Sequence, residues 1–212
     1  MTLDKEGEGP QILIYHTHSQ EAFKDSGPQG RTIVEVGDYL AELLTQKGYR
    51  VYHDTSVYDL QSGVLDRSKA YNYALEGVNR ILQQNPSIQV VLDLHRDGVS
   101  ENLHMVSDIN GKPTAQIMFF NGLSRTPEGK IAYLPNPYLA ENLAFSLKMQ
   151  LGAQAYFPGF ARKIYLKGLR YNLHLRPKSA LIEAGAQTNT FEEVKNAMEP
   201  LAQLLDMVLQ GE

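Results

Sequence analysis

Three short stretches of this chain are apolar enough to lie covered on both faces, and each breaks off into a residue that can bind a metal or move a proton. Residues 12–14 (Ile-Leu-Ile) run into Tyr15-His16-Thr17-His18-Ser19-Gln20-Glu21, residues 88–94 run into His95, and residues 179–182 run into Glu183. Doubly covered strands read as near-continuous apolar runs and belong to parallel sheets. Parallel strands bring their carboxyl ends to one edge, where open α/β sheets bind ligands. The three endings are therefore expected to share one site.

What lies between them supports the same architecture. Apolar residues fall at helical spacing over 33–47 and 68–84, a short strand is expected at 50–53, and 54–66 is loop-like. A further strand is expected at 114–120, a polar connection at 122–134, a helix at 136–151, and an edge strand with a loop at 162–174. Thr190 followed by Glu193 is a capping-box signature for a last helix over 191–209. Strand and helix alternate through the first half, which implies parallel pairing with right-handed crossovers. The expectation is an α/β fold in one domain, residues 11–212, behind a polar tail, 1–10, expected to be disordered.

Composition narrows the chemistry. With no cysteine there can be no disulfide, thiol nucleophile or thiolate metal site, so any metal must use His, Asp or Glu. The formal charge of −4 argues against a nucleic-acid-binding surface. No apolar run approaches the roughly 20 residues that span a bilayer.

His18 and Glu21 stand three apart, a spacing that lets an imidazole and a carboxylate reach one ion if a helical turn follows the strand. With His95 they make a His2Glu set, and catalytic zinc keeps three protein ligands and an open position. Glu183, on a separate strand, suits the general base that takes a proton from water and passes it to a leaving amine. Other assignments stay open. His16 is a candidate for the alternative ligand or for a contact behind one. Glu35 is the alternative carboxylate. Arg96 and Asp97 are candidates for substrate contact or a structural salt bridge, and Asp93 either supports His95 or is a buried, hydrogen-bonded carboxylate. His53, His104 and His174 carry no comparable context.

Several segments taken together (Ile-Tyr-His-Thr-His-Ser-x-Glu from Ile14, Val-Gly-Asp-Tyr-Leu from Val36, Asp-Leu-His-Arg-Asp-Gly from Asp93, Tyr-x-Pro-Gly-Phe-x-Arg from Tyr156, and Tyr-Asn-x-x-Leu-x-Pro-x-x-x-Leu-Ile-Glu-x-Gly from Tyr171) resemble the stage II sporulation protein P family, in that family's order, over nearly the whole chain. The resemblance implies an Amidase_3-like domain, a mostly parallel twisted sheet with helices on both faces. It implies a zinc-dependent peptidoglycan hydrolase, with one Zn2+ per chain, that cuts the N-acetylmuramoyl-L-alanine amide and is also credited with cutting peptide cross-links. Carried over, the first-strand histidine falls on His18, the strand-end histidine on His95 and the catalytic glutamate on Glu183. The carboxylate ligand is expected at Glu21, with Glu35 as the alternative.

The implied partners are peptidoglycan and a lytic transglycosylase of the sporulation protein D type. Family members act outside the cytoplasm from an N-terminal membrane anchor. None is recognisable here, so a soluble ectodomain is expected. Leu173 departs from a glutamine expected in Tyr-Asn-Gln, which puts any substrate contact at that position in doubt. The rival readings are a zinc peptidase or carboxypeptidase acting on peptides, and a wall-binding module without catalysis.

Overall fold

The computed structural model describes residues 2–3, 7–28 and 30–211. The chain opens with β1 (Ile12–Tyr15), α1 (Ile33–Gln46), β2 (Val51–His53), a small hairpin of β3 (Leu60–Gln61) and β4 (Val64–Leu65), α2 (Arg67–Gln84) and β5 (Val90–Asp97). A hairpin of β6 (Val106–Ile109) and β7 (Lys112–Ala115) leads into β8 (Ile117–Gly122), and another of β9 (Arg125–Thr126) and β10 (Gly129–Lys130) precedes α3 (Leu139–Tyr156). Then come β11 (Tyr165–Lys167), β12 (Lys178–Ala186) and α4 (Phe191–Gln210).

The central sheet has the order β11-β8-β12-β5-β1-β2. β12, β5, β1 and β2 are mutually parallel, while β8 pairs antiparallel with β12 and parallel with β11. Thus the three strands that carry the candidate site residues at or near their carboxyl ends lie side by side and run the same way; β5 continues past His95 to Asp97 and β12 past Glu183 to Ala186. On one face Ile12, Ile14, Val90, Leu92, Leu94, Ala180 and Ile182 pack against buried residues of α1, α3 and α4. On the other, Leu13, Tyr15 and Val91 meet Ala74, Val78, Ile81 and Leu82 of α2. Each fully buried aliphatic side chain contributes on the order of 1.5–3 kcal/mol through water release, which is why all-apolar strands settle in the middle of the sheet.

Local chemistry sets the helix ends. Thr32 and Glu35 form a reciprocal capping box that starts α1, and Thr190 and Glu193 do the same for α4. Val194, Met198, Leu201, Leu205 and Val208 form the buried stripe of α4, as the spacing predicts. Four stretches differ from the sequence reading. Residues 54–66 contain the β3–β4 hairpin, and residues 122–134 contain the β9–β10 hairpin. The strand expected at 114–120 is divided at Gln116, because Asn110 and Gly111 both take positive φ, 55° and 78°, and turn 112–115 back onto β6. The third helix begins after Pro137, since the residue preceding a proline resists helical geometry. Residues 1 and 4–6 of the expected disordered tail lie outside the described residues. Leu3 is buried, and its N–H donates to the Leu209 carbonyl.

Behind the sheet, on the α1 side, His16 is fully buried. Its Nδ1 donates to the Leu94 carbonyl at 2.8 Å, and its Nε2 lies 2.8 Å from Nε2 of His53, whose Nδ1 is 2.9 Å from Asp38 Oδ1. Gly37 makes room for this pair, because a Cβ there would stand 2.6 Å from His16 Nε2 and 2.7 Å from His53 Nε2. Gly37→Ala is therefore expected to destabilise the protein by about 1–3 kcal/mol, the usual cost of overpacking, although alanine is the better helix former. Urea unfolding measures it, and an unchanged or raised midpoint would mean that the imidazoles give way freely.

Candidate metal and catalytic site

The first strand stops at Tyr15, and the turn after it carries His18 and Glu21. Two anchors fix the turn. Thr17 donates to Asp93 through its N–H (2.9 Å, to Oδ1) and its hydroxyl (2.6 Å, to Oδ2). Ser19 donates to Asp59 at 2.8 Å. The Glu21 carbonyl then accepts from the Ile33 N–H at 2.9 Å, so this residue also ties the turn to the first residue of α1.

These constraints bring His18, Glu21 and His95 together, each offering one ligand atom within 4.8 Å of the others. Nδ1 of His18 is 3.5 Å from Glu21 Oε1, and Nδ1 of His95 is 3.5 Å from Glu21 Oε2. The carboxylate thus lies between the two imidazoles, one oxygen toward each. The donor set of two imidazoles and a carboxylate suits zinc. Burial alone would raise the Glu21 carboxyl, but hydrogen bonds from His18, His95 and the Arg96 N–H (2.9 Å) hold it well below the usual carboxylate range. An ionised carboxylate facing two imidazoles is what a cation site needs.

Asp93 and His95 are two apart on β5 and so point to the same face, the one that α2 covers. His95 Nε2 lies 2.7 Å from Asp93 Oδ1, a charge-pair distance, though off the direction of a good hydrogen bond. Asp93 is fully buried. Burial would raise its carboxyl, and His95 and Thr17 outweigh that and lower it. Both readings of Asp93 thus hold: it is a buried, hydrogen-bonded carboxylate, and it braces His95 from behind.

Glu183 stands directly opposite His95 in the register of β12 and β5. A bulge follows it, and Gly185 there takes φ +64°. Bulges re-aim side chains beside active sites. Its Oε2 is shut from solvent and has no hydrogen-bond partner among the described residues, and neither does His18 Nε2. Burial pushes the Glu183 carboxyl up to about 7; His95 opposes this, while Glu21, Asp97 and Asp93 add to it.

The remaining sequence candidates are used elsewhere. His16 lies behind the sheet with both nitrogens engaged, and burial with His53 nearby lowers its pKa to about 4. Glu35 is exposed and accepts from the Thr32 N–H (2.7 Å) as the helix cap, so it is not in the cluster. Arg96 donates through Nε to the Ala22 carbonyl (2.9 Å) and through Nη1 to the Asp97 carbonyl (3.2 Å). Asp97 pairs with Arg162 at 2.7 Å. Leu173 is buried against Phe120 and Leu181, a packing role in place of any polar contact.

Sequence reasoning missed Tyr71, which lies within the helix expected over 68–84. Its ring sits edge-on to His18 (5.5 Å between centroids) and nearly parallel to His95 (6.4 Å, 15°). Its position near the start of α2, at the carboxyl edge of the sheet, was the available signal. A hollow of about 600 Å³ between the β9–β10 hairpin and α3 holds none of these residues.

The class is an α/β domain: an open, mostly parallel sheet with helices on both faces that carries a His-Glu-His cluster and a glutamate at one edge. Solved structures agree on the fold. The N-acetylmuramoyl-L-alanine amidase AmiC2 of Nostoc punctiforme superposes with a TM-score of 0.55 at 15% identity, covering 96% of this chain and 99% of that one. The CwlD amidase of Clostridioides difficile, solved with the GerS lipoprotein, gives 0.58 at 13% identity, covering 93% and 96%. The chain belongs to the stage II sporulation protein P family, whose pattern it matches over residues 3–206. Stage II sporulation protein P of Bacillus subtilis (strain 168) is 23% identical over 215 residues, 92% of this chain and 50% of the relative, so the chain spans about half that relative's length. Among the described residues no helix is long and apolar enough to cross a membrane.

A carboxyl whose folded-state pKa is raised loses stability as pH climbs from its unfolded value to its folded one. In chelator-treated protein, Glu183 should therefore be progressively more costly between about pH 4.5 and about pH 7. The thermal midpoint of Glu183→Gln relative to the parent is expected to rise across that window and then level off. A constant difference over the window would show that Glu183 ionises without penalty.

Proposed function

We propose that this domain is a zinc-dependent peptidoglycan hydrolase that cleaves the amide between N-acetylmuramic acid and the L-alanine of the stem peptide. The observation that carries the reading is Glu183, an unpaired carboxyl in register with His95 beside a ready-made three-ligand cluster. Family membership and the amidase fold point to the same substrate.

His18, Glu21 and His95 would hold the ion. Bound there, zinc polarises a carbonyl and lowers the pKa of water to about 7. Everything else is the work of the chain. Glu183 takes the proton from the attacking water and delivers it to the amide nitrogen as the C–N bond breaks; its pKa of about 7 lets it serve as base and then acid at neutral pH. Asp93 fixes the direction of the His95 ring, as carboxylates behind metal-binding histidines do. The Arg96 N–H and the two imidazoles keep Glu21 ionised. A transglycosylase of the sporulation protein D type, acting on the glycan, is the partner that this reading assigns to the protein. The site of action is outside the cytoplasm.

Mass spectrometry of digests of purified peptidoglycan tests the reading. Zinc-loaded protein should release stem peptides bearing a free L-alanine amine, a strong chelator should stop this, and added Zn2+ should restore it. Glu183→Gln should retain zinc and lose about 10²–10⁴-fold in kcat. Undiminished hydrolysis in chelator would sink the metal assignment, and near-normal turnover in the variant would sink that of the base. Cut cross-links without released L-alanine amines would shift the bond to the peptide.

A further inference from the structure

We propose that Tyr71 is a catalytic residue of this site, its hydroxyl donating a hydrogen bond to the substrate's carbonyl oxygen as that oxygen takes on charge. The inference rests on the hydrolase reading above.

The other buried or half-buried tyrosines mostly spend their hydroxyls on the protein. Tyr58 donates to Asp54 at 2.6 Å, Tyr49 to Asp206 at 2.8 Å and Tyr39 to Glu199 at 3.3 Å. A buried phenol normally finds such a partner. The Tyr71 hydroxyl has none among the described residues, although Asp93, Glu183 and Glu21 are all close enough to act on it electrostatically. It is an unspent donor in a pocket where Glu183 Oε2 is likewise unpartnered among the described residues.

The ring is held where a donor would be needed. It lies edge-on to His18 and stacked on His95, so it flanks two of the three cluster residues. Tyr171 closes its far side edge-on at 5.4 Å, and Asn172 Nδ2 donates to the Tyr71 carbonyl at 2.8 Å. Tyr171 and Asn172 both adopt positive φ, 51° and 57°, an uncommon pair for residues other than glycine. Strain of that kind persists where the surroundings over-determine it, and it clusters at functional sites. Here the strained loop seats the first turn of α2 against the cluster.

Tyr71 offers amide hydrolysis a neutral, uncommitted donor. Amide hydrolysis builds negative charge on the carbonyl oxygen, and fixed donors aimed at it are worth about 10²–10³-fold in rate. Around the cluster, Glu21, Asp93 and Glu183 can accept. Thr17 has given its hydroxyl to Asp93, and Arg96 has turned Nε and Nη1 to backbone carbonyls. A phenol, with an ordinary pKa of about 10, carries its proton at neutral pH and can donate. The proton stays on the phenol oxygen throughout, and no bond to Tyr71 forms or breaks.

Tyr71→Phe keeps the ring and its packing and removes only the hydroxyl. Zinc-loaded parent and variant would be compared for zinc content, for kcat and KM on peptidoglycan, and for calorimetric affinity toward methylphosphonate, whose tetrahedral anionic oxygens stand in for the transition state. We expect equal zinc, similar KM, kcat lower by about 10²-fold, and phosphonate binding weaker by about tenfold or more. Equal kcat and equal phosphonate affinity would overturn the assignment and leave Tyr71 as an aromatic wall. A parent that releases no L-alanine amine but binds the phosphonate in a Tyr71-dependent way would keep the donor and remove the substrate. A parent that binds neither zinc nor the phosphonate overturns both readings.

Discussion

The site hangs on one buried carboxylate. Asp93 has no exposure to water, and an ionised group so placed survives only when its oxygens are fully paired. Thr17 donates to both of its oxygens from the end of β1, and the His95 ring adds a charge pair at 2.7 Å from its own strand. The same need that stabilises Asp93 therefore pulls the turn bearing His18 and Glu21 onto β5 and turns the His95 ring toward them. Remove the carboxylate, and the turn and the imidazole lose their common anchor while the sheet beneath them keeps its apolar core.

How much of this was readable varies by residue. The largely apolar runs ahead of His18, His95 and Glu183 pointed to central parallel strands, and adjacent parallel strands bring their carboxyl ends to one edge, so their convergence followed from pattern. Glu21 was legible from its spacing to His18. Glu35 competed with it on sequence terms because a helix-start glutamate looks the same whether it caps or ligates; only the Thr32 contact separates the two. His16 misleads for a geometric reason. The strand stops at Tyr15, so the alternation that would have put His16 beside His18 no longer applies. Arg96 and Asp97 look like substrate contacts in a string of letters, but their partners, the Ala22 carbonyl and Arg162, are remote in sequence. Tyr71 hides as one more apolar position of an amphipathic helix.

The short hairpins escaped for a different reason. β3–β4 and β9–β10 have strands of two residues each, too short to carry any periodicity. β6–β7 had a usable signal in Asn110-Gly111, a dipeptide suited to the tight turn it makes. The antiparallel setting of β8 follows from that hairpin, because the chain re-enters the sheet after it without a helical crossover. Sequence identities of 13% and 15% to the solved amidases sit beside coverage above 90%. What is shared is the arrangement of layers, while the side chains that fill it have drifted.

The turn after β1 supplies two of the three cluster residues from within four positions, and the third comes from 74 residues further along the chain. Two of the three ligands are thus a local chelate, and the set is complete only when β1 and β5 are paired. A cation held by all three reports on folding as directly as on chemistry. At a free concentration of 100 times its dissociation constant it would add about 2.7 kcal/mol to the stability of the folded chain. Scarcity of the ion would then reduce how much of the protein is folded, as well as how much of it is active.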